Sequence, residues 1–206
     1  MKKIVKNTLA LTLITVVLGL VLGLVHEITL EPIAAQERRK QQEAYAEVLP
    51  DAESFEELDL SSDGLSEKFA EAISEAGLTG ETVDGVAEGL DGSGALTGYV
   101  FTVTTGEGYG GDIQFTLGLS ADGTIRGISF LSIEETAGLG MRADTDDFKQ
   151  QFAGIQAESI AYTKTGASAD NEIDAISGAT VTTNAVTNGV NAGLAAYRVL
   201  AEGGES

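Results

Sequence analysis

Residues 8–25 read TLALTLITVVLGLVLGLV, eighteen positions without a charge or a proline. No other stretch limits the fold of this chain so strongly. A helix of that length rises roughly 27 Å, about the hydrocarbon thickness of a bilayer. Lys2, Lys3 and Lys6 precede the run. It is longer than the apolar region of an ordinary signal peptide, and His26, Glu27 and Ile28 come after it in place of a small-residue cleavage site. Ala34-Ala35 is a more distant alternative for cleavage. The reading adopted is a retained transmembrane anchor over residues 1–30. Charge orients it only weakly, because Arg38, Arg39 and Lys40 stand close behind it on the other side. Long domains translocate largely regardless of such charges. The expected topology is single-pass, with the N-terminus cytoplasmic and the remainder outside the cell membrane.

Behind the anchor the chain is strongly acidic. From Ala46 onward six Lys and Arg stand against 28 Asp and Glu, and the whole chain carries a formal charge of −20. Such a surface repels nucleic acid, so DNA and RNA binding are set aside. Its plainest use is solubility. There is no Cys, which excludes disulfides, thiolate catalysis and iron–sulfur ligation. The single His, His26, borders the anchor, far from any motif. No His-based triad and no metal site are expected. Redox chemistry in this chain would need an organic cofactor.

Pro32 is expected to break the anchor from the segment behind it. Residues 34–48 are rich in Gln, Glu, Arg and Ala and read as a membrane-proximal helix ending before Pro50. Residues 51–63 are acidic and read as loop. Leu65, Phe69, Ile73 and Ala76 keep helical spacing, and Gly77 stops that helix. Residues 31–80 are thus a helical region ahead of a domain over residues 81–206. There the period changes to two. Tyr99, Phe101 and Val103 alternate, as do Ile113, Phe115, Leu117 and Leu119. Asp91-Gly-Ser-Gly94 and Ala121-Asp-Gly123 read as hairpin turns, and Gly127 suggests a bulge. A short helix over residues 144–152 pairs Phe148 with Phe152. Residues 162–170 are polar, loop or edge strand. Val186, Val190, Gly193, Tyr197 and Leu200 fall on one face of a last helix over residues 182–201. The fold class is α+β: one transmembrane helix, then an antiparallel sheet flanked by helices.

Three places in the domain combine glycine with polar groups. Gly108-Tyr-Gly-Gly111 lies between two strands and reads as a hairpin loop or as a close approach of backbone to a ligand, with Tyr109 beside it. Glu134-Glu-Thr-Ala-Gly-Leu-Gly140 comes after a strand. It reads as a connecting loop, or as a site where Gly138 and Gly140 bring backbone amides to a flat ring, Leu139 packs on it, and Glu135 and Thr136 add polar contacts. The third is Asp174-Ala-Ile-Ser-Gly-Ala-Thr-Val-Thr-Thr183, a turn feeding a helix. A helix start presents unpaired N–H groups and the positive end of the macrodipole, so it favours phosphate. A Thr hydroxyl there caps the helix or carries a phosphoester. Ser177, Thr182 and Thr183 are further donors to phosphate oxygens. No Lys or Arg lies within the turn, and Lys164 is the nearest in sequence.

Taken together, these segments resemble the family of FMN-binding G subunits of Rnf complexes, the membrane-bound ion-translocating ferredoxin:NAD oxidoreductases. The chain is similar, more distantly, to the C subunits of the sodium-pumping NADH:quinone reductases. The resemblance covers nearly the whole chain: the single anchor, Glu27-Ile-Thr-Leu-Glu-Pro32, residues 108–111, residues 135–140 and Asp174 to Thr182. The last segment matches the family's flavinylation pattern: Asp, two residues, then Ser or Thr followed by Gly-Ala-Thr. The resemblance implies FMN esterified through its phosphate to Thr180, with Asp174, Ser177, Gly178 and Ala179 at the recognition positions ahead of it. It implies a ring pocket built by Tyr109, Gly110 and Gly111 with Glu135, Thr136, Gly138, Leu139 and Gly140. It also implies a flavin transferase using FAD during maturation, and the other membrane subunits of the complex as partners. Ala137 stands where the family usually has Pro, which leaves that loop less rigid. No complete reaction is expected of this protein by itself. A cofactor-free, anchored extracytoplasmic binding module is the alternative from another class.

Overall fold

The structure is a computed structural model, described here for residues 2–203. Helix α1 spans Lys2–Val48. It is the one helix among the described residues long and apolar enough to cross a membrane. The helix runs through Pro32, where a break was expected. Proline's fixed φ is itself helical, and the Ala-, Gln-, Glu- and Arg-rich run behind it resumes the helix after one lost hydrogen bond. The chain divides into two compact units between Gln42 and Glu43. The last turn of α1 therefore belongs to the second unit, as do all later elements.

That unit is built on a five-stranded antiparallel meander: β1 Ser54–Glu57, β2 Glu81–Leu90, β3 Leu96–Thr105, β4 Ile113–Ser120 and β5 Ile125–Ser132, in that spatial order. β1 lies within the segment expected to be loop. Its one large apolar residue, Phe55, pairs across to Gly89 and packs its ring on Tyr45 at 5.4 Å. Tertiary pairing, rather than local pattern, makes this strand. The turn at residues 121–123 forms as the sequence indicates, with Gly123 at φ 82° and Asp122 accepting from Thr124 N and Ser120 Oγ. The register slips between Gly118 and Leu119, opposite Gly127 and Ile125, so Arg126 is the extra residue of a bulge beside Gly127.

Helix α2, Leu65–Glu75, buries Phe69 and Ile73 and ends before Gly77 at φ 79°. Helix α3 is only Asp146–Lys149, with a 3₁₀ turn over Gly140–Asp144 ahead of it, shorter than the helix expected over 144–152. Phe148 and Phe152 still meet edge to face at 5.5 Å. The polar stretch after Ile160 contributes β6, Ala161–Thr163, which pairs in parallel with β7, Glu172–Asp174, apart from the main sheet. Helix α4, Thr180–Gly203, starts two residues earlier than its apolar face indicates.

Pairing register sorts the strand residues onto two faces. Phe101, Val103, Phe115, Leu117, Ile128 and Phe130 share the face that meets α4. Gly189 and Gly193 allow that meeting. A Cβ on Gly189 would stand 2.8 Å from the Phe115 ring, and one on Gly193 would stand 2.5 Å from Leu117 Cδ2. The opposite face carries Ala87, Val100, Thr102, Thr116, Gly118 and Ser129 and receives the end of α1. One end of the sheet gathers the start of β2, the β3–β4 loop, the end of β5 and the start of α4. All three glycine-rich motifs lie there.

Candidate cofactor site

Antiparallel order alone puts the β3–β4 loop next to the segment after β5. The contact between them is backbone on backbone. A Cβ on Gly110 would stand 1.8 Å from Glu134 O, so only glycine fits there. Tyr109 N donates to Glu135 Oε1 at 2.8 Å, which pins the two loops together. Gly111 at φ 135° and Gly138 at φ 76° turn the chain at the flanks of this contact.

The N-terminus of α4 closes the third side. Gly178, at φ 81°, turns the chain into the helix, and a Cβ on it would stand 3.2 Å from Leu139 Cδ2. Gly140 is tighter still. A Cβ there would lie 2.6 Å from both Glu135 Oε2 and Thr182 Oγ1. Thr182 is buried as a residue, and it lines the pocket beside Gly140.

These contacts enclose a pocket of about 570 Å³. It is lined by Tyr109, Glu135, Thr136, Leu139 and Gly140 from the two loops, and by Gly178, Ala179, Thr180, Val181 and Thr182 from the start of α4. The volume is in the range of cofactor clefts. Its rim is apolar and open: Tyr109 is 75 % exposed, Val181 50 % and Leu139 43 %. Beyond α1, Leu96 is the only other large hydrophobic side chain so exposed among the described residues. A flat apolar ligand would cover them at little cost. A larger cleft, about 810 Å³ between α2 and α4, holds none of the motif residues.

Several residues expected at the site stand outside this lining. Thr183 is fully buried, and its hydroxyl donates to Ala179 O at 3.0 Å and accepts from Ile176 N at 3.0 Å. It fixes the turn and has no free proton for a phosphate, a correction to the reading of Thr183 as a phosphate donor. Asp174, at the end of β7, accepts from Ala167 N at 2.6 Å and so holds the loop behind the turn. Ser177 is exposed and does not line the pocket. Gly110, Gly111 and Gly138 shape the walls from behind.

Thr180 differs from its neighbours. It is the first residue of α4, it is half-buried, and it lines the pocket. The amides of the first helical turn have no partner four residues back. With no Lys or Arg in the lining, an anionic group here would rest on backbone N–H groups, the helix dipole and hydroxyls. The free amides, the apolar rim and the half-buried Thr180 hydroxyl at the helix start suit a tethered flavin nucleotide.

The comparisons with known proteins agree on the family. Residues 108–195 match the FMN-binding domain, and residues 1–48 match the RnfG N-terminal region. Over 98 % of its length the chain is 36 % identical to the G subunit of the Na(+)-translocating ferredoxin:NAD(+) oxidoreductase complex of Acetobacterium woodii, covering 95 % of that protein. The chain belongs to the RnfG family, the G subunits of ion-translocating oxidoreductase complexes. A second relative, the G subunit of such a complex from Methanosarcina acetivorans, is 30 % identical over 94 % of each chain. Among solved structures, the C subunit of the Na(+)-translocating NADH-quinone reductase from Parabacteroides distasonis superposes with a TM-score of 0.56 over 82 % of this chain and 94 % of that one. At 20 % identity that likeness speaks for the fold alone. As a member of the RnfG family, the chain is a membrane-anchored FMN protein of a multi-subunit assembly.

Proposed function

We propose that this chain carries its FMN as a phosphoester on Thr180 Oγ1, outside the cytoplasmic membrane, and relays electrons through that flavin between neighbouring subunits of an Rnf-type complex. The observation that carries the reading is the state of the hydroxyls around the α4 N-terminus. Thr183 is locked in two hydrogen bonds and Thr182 is the more buried residue, while Thr180 is half-buried in the pocket lining. Esterification turns the hydroxyl into a diester with one remaining negative charge, held by free amides and the helix dipole. The isoalloxazine would then lie along the rim formed by Tyr109, Leu139 and Val181. The flavin supplies the electron transfer; the protein's groups position it and exclude water. A tether also suits a compartment where free FMN is scarce, since a merely bound cofactor would be lost by mass action. Attachment needs a flavin transferase. The Thr180 hydroxyl attacks the FMN-side phosphorus of FAD, its proton is lost, the pyrophosphate bond breaks and AMP leaves.

The test is made on the full chain co-produced with the transferase. Denaturing gels should show a flavin-fluorescent band, and mass spectrometry should place the added mass on Thr180. Thr180→Ala should be dark yet folded, at a stability cost of no more than about a helix cap, roughly 0.5–2 kcal/mol. Thr183→Ala should stay fluorescent but strand the Ile176 N–H, a cost of about 1–3 kcal/mol. Covalent flavin on the Thr180→Ala protein, or an intact Thr180 in a dark wild-type band, overturns the reading.

A further inference from the structure

A second polar cluster lies beside the pocket, and the cofactor reading makes no use of it. Glu107 stands between β3 and the Gly108–Gly111 loop. Its Oε2 accepts from Asn188 Nδ2 at 2.7 Å and from Asn184 Nδ2 at 3.2 Å. Asn184 and Asn188 continue from Thr180 in steps of four, so all three share one stripe of α4. The helix stripe that begins at the pocket is therefore the stripe Glu107 grips.

Glu107 is held from behind as well. Its N–H donates to Thr105 Oγ1 at 3.3 Å, and Thr105 Oγ1 donates to Glu81 Oε1 at 3.2 Å. Gly80 N donates to Glu81 Oε2 at 3.1 Å, and Gly106 N donates to Gly80 O at 2.7 Å. A Cβ on Gly80 would stand 2.8 Å from Glu107 Cγ, so the Glu107 stem lies directly across that glycine. Glu81 is only 6 % exposed and Thr105 is fully buried.

The charges in this cluster do not balance. Two carboxyl groups are present, and among the described residues no Lys or Arg is hydrogen-bonded to either. Thr105 faces Glu81 from β3, neutral Asn184 and Asn188 face Glu107 from α4, and Glu107 is the one charged group acting on Glu81. Burial first, and then the Glu107 charge, push the Glu81 carboxyl above its ordinary range.

We propose that Glu107 is a positioning residue for the cofactor pocket: tied through Thr105 to the buried Glu81 and gripping Asn184 and Asn188, it fastens the loop that carries Tyr109 to the helix that carries Thr180. The fastening is complete while Glu81 holds its proton. It loosens as pH rises through the raised value of Glu81, whose new charge then opposes that of Glu107. The sign comes from a carboxyl whose folded value lies above its unfolded one. This inference rests on the pocket assignment but not on the ester bond.

The chain has no Trp, so Tyr109→Trp places a single indole reporter on the loop. Acrylamide quenching of that reporter is followed against pH in full-length protein made without the transferase, so that absence of the ester leaves the measurement intact. Quenching should rise at least twofold in one step above the ordinary carboxylate range. With Glu81→Gln added, quenching should stay at the low-pH level throughout. With Glu107→Gln the step should vanish, because no second carboxylate remains to oppose the Glu81 charge. Replacing both Asn184 and Asn188 by Leu should give high quenching at every pH. A flat profile in the parent reporter overturns the proposal. So does an unchanged step with either glutamine variant, including the case where only one of them folds.

Discussion

The two faces of the five-stranded sheet are packed in opposite styles. Toward α4, large side chains on the strands (Phe101, Phe115, Leu117, Phe130) meet small residues on the helix (Gly189, Gly193, Ala192). Toward α1, small and hydroxyl residues on the strands (Thr102, Thr116, Gly118, Ser129) meet large ones at the end of the helix (Tyr45, Val48, Leu49). The first arrangement makes a deep apolar core and sets the axis of α4, hence the position of Thr180. The second is thin and specific. A Cβ on Gly118 would stand 2.3 Å from Val48 O, and one on Gly89 would stand 2.4 Å from Leu49 Cδ2. Polar contacts finish it: Tyr45 Oη with Thr102 Oγ1 at 3.3 Å and Ser129 Oγ with Glu47 Oε2 at 2.6 Å. One face is held by volume and the other by fit.

The strongest way to break this contrast is to remove the filler of the thin face. A soluble chain beginning at Glu43 should fold and unfold cooperatively in urea. One beginning at Pro50 loses Tyr45, Val48 and Leu49, each buried to within a few per cent. At about 1.5–3 kcal/mol for each such side chain, the loss is on the order of 5 kcal/mol, comparable to the whole stability of a domain. Equal urea midpoints for the two chains would show that the α1 end is not a structural part of the domain. Next in size is Gly118→Ala. The added methyl meets the backbone of Val48, which cannot rotate away, so overpacking should cost about 1–3 kcal/mol. The same change at Gly80, where the neighbour is a side chain (Glu107) rather than backbone, should cost less. The reverse order would mean that the thin face yields easily.

The same contrast explains what could be read from the sequence. The α4-facing core was legible because Tyr99 to Val103 and Ile113 to Leu119 alternate, and because Val186, Val190 and Gly193 keep helical steps. β1 was hidden because Ser54-Phe-Glu-Glu57 offers one apolar residue and becomes a strand only by pairing with β2. The last turn of α1 was legible as helix but not as core, since its partners are glycines and threonines that carry no hydrophobic period. At the site, the glycines and hydroxyls marked the pocket walls. The division of labour among Thr180, Thr182 and Thr183 depends on the phase of α4, which places Thr183 inward with Val186 and Val190. The spacing of Thr180, Asn184 and Asn188 was visible. Their common partner, Glu107, lies 77 residues before Asn184 and 81 before Asn188, beyond any local signal.

The smallest effect concerns the polar edge of the thin face. Lys149 Nζ lies 3.1 Å from Glu47 Oε1, with Asp146 at 3.7 Å and Asp144 at 4.0 Å. Partial burial is the largest single influence on Glu47 and works to raise its carboxyl, but the hydrogen bonds from Ser129 and Lys149 and the Lys149 charge together hold it below the ordinary value. For Lys149, burial likewise opposes the net change, and Glu47 first, then Asp144 and Asp146, hold the ammonium above its ordinary value. Glu47 thus contributes stability that is complete above its unfolded value and lost as pH falls through its lowered folded one. Lys149 contributes stability that is complete below its unfolded value and lost as pH rises through its raised folded one. The pair gives a plateau across neutral pH with a decline at each end. Because the Glu47 side chain is 53 % exposed, solvent and salt screen it, and the plateau should stand under about 1 kcal/mol above its acid end. Urea midpoints of the wild type and Glu47→Gln should therefore converge in acid and differ most near neutrality, with the gap narrowing in high salt. A gap that persists unchanged into acid would assign the role of Glu47 to packing of its stem, and the thin face would then be held by fit alone.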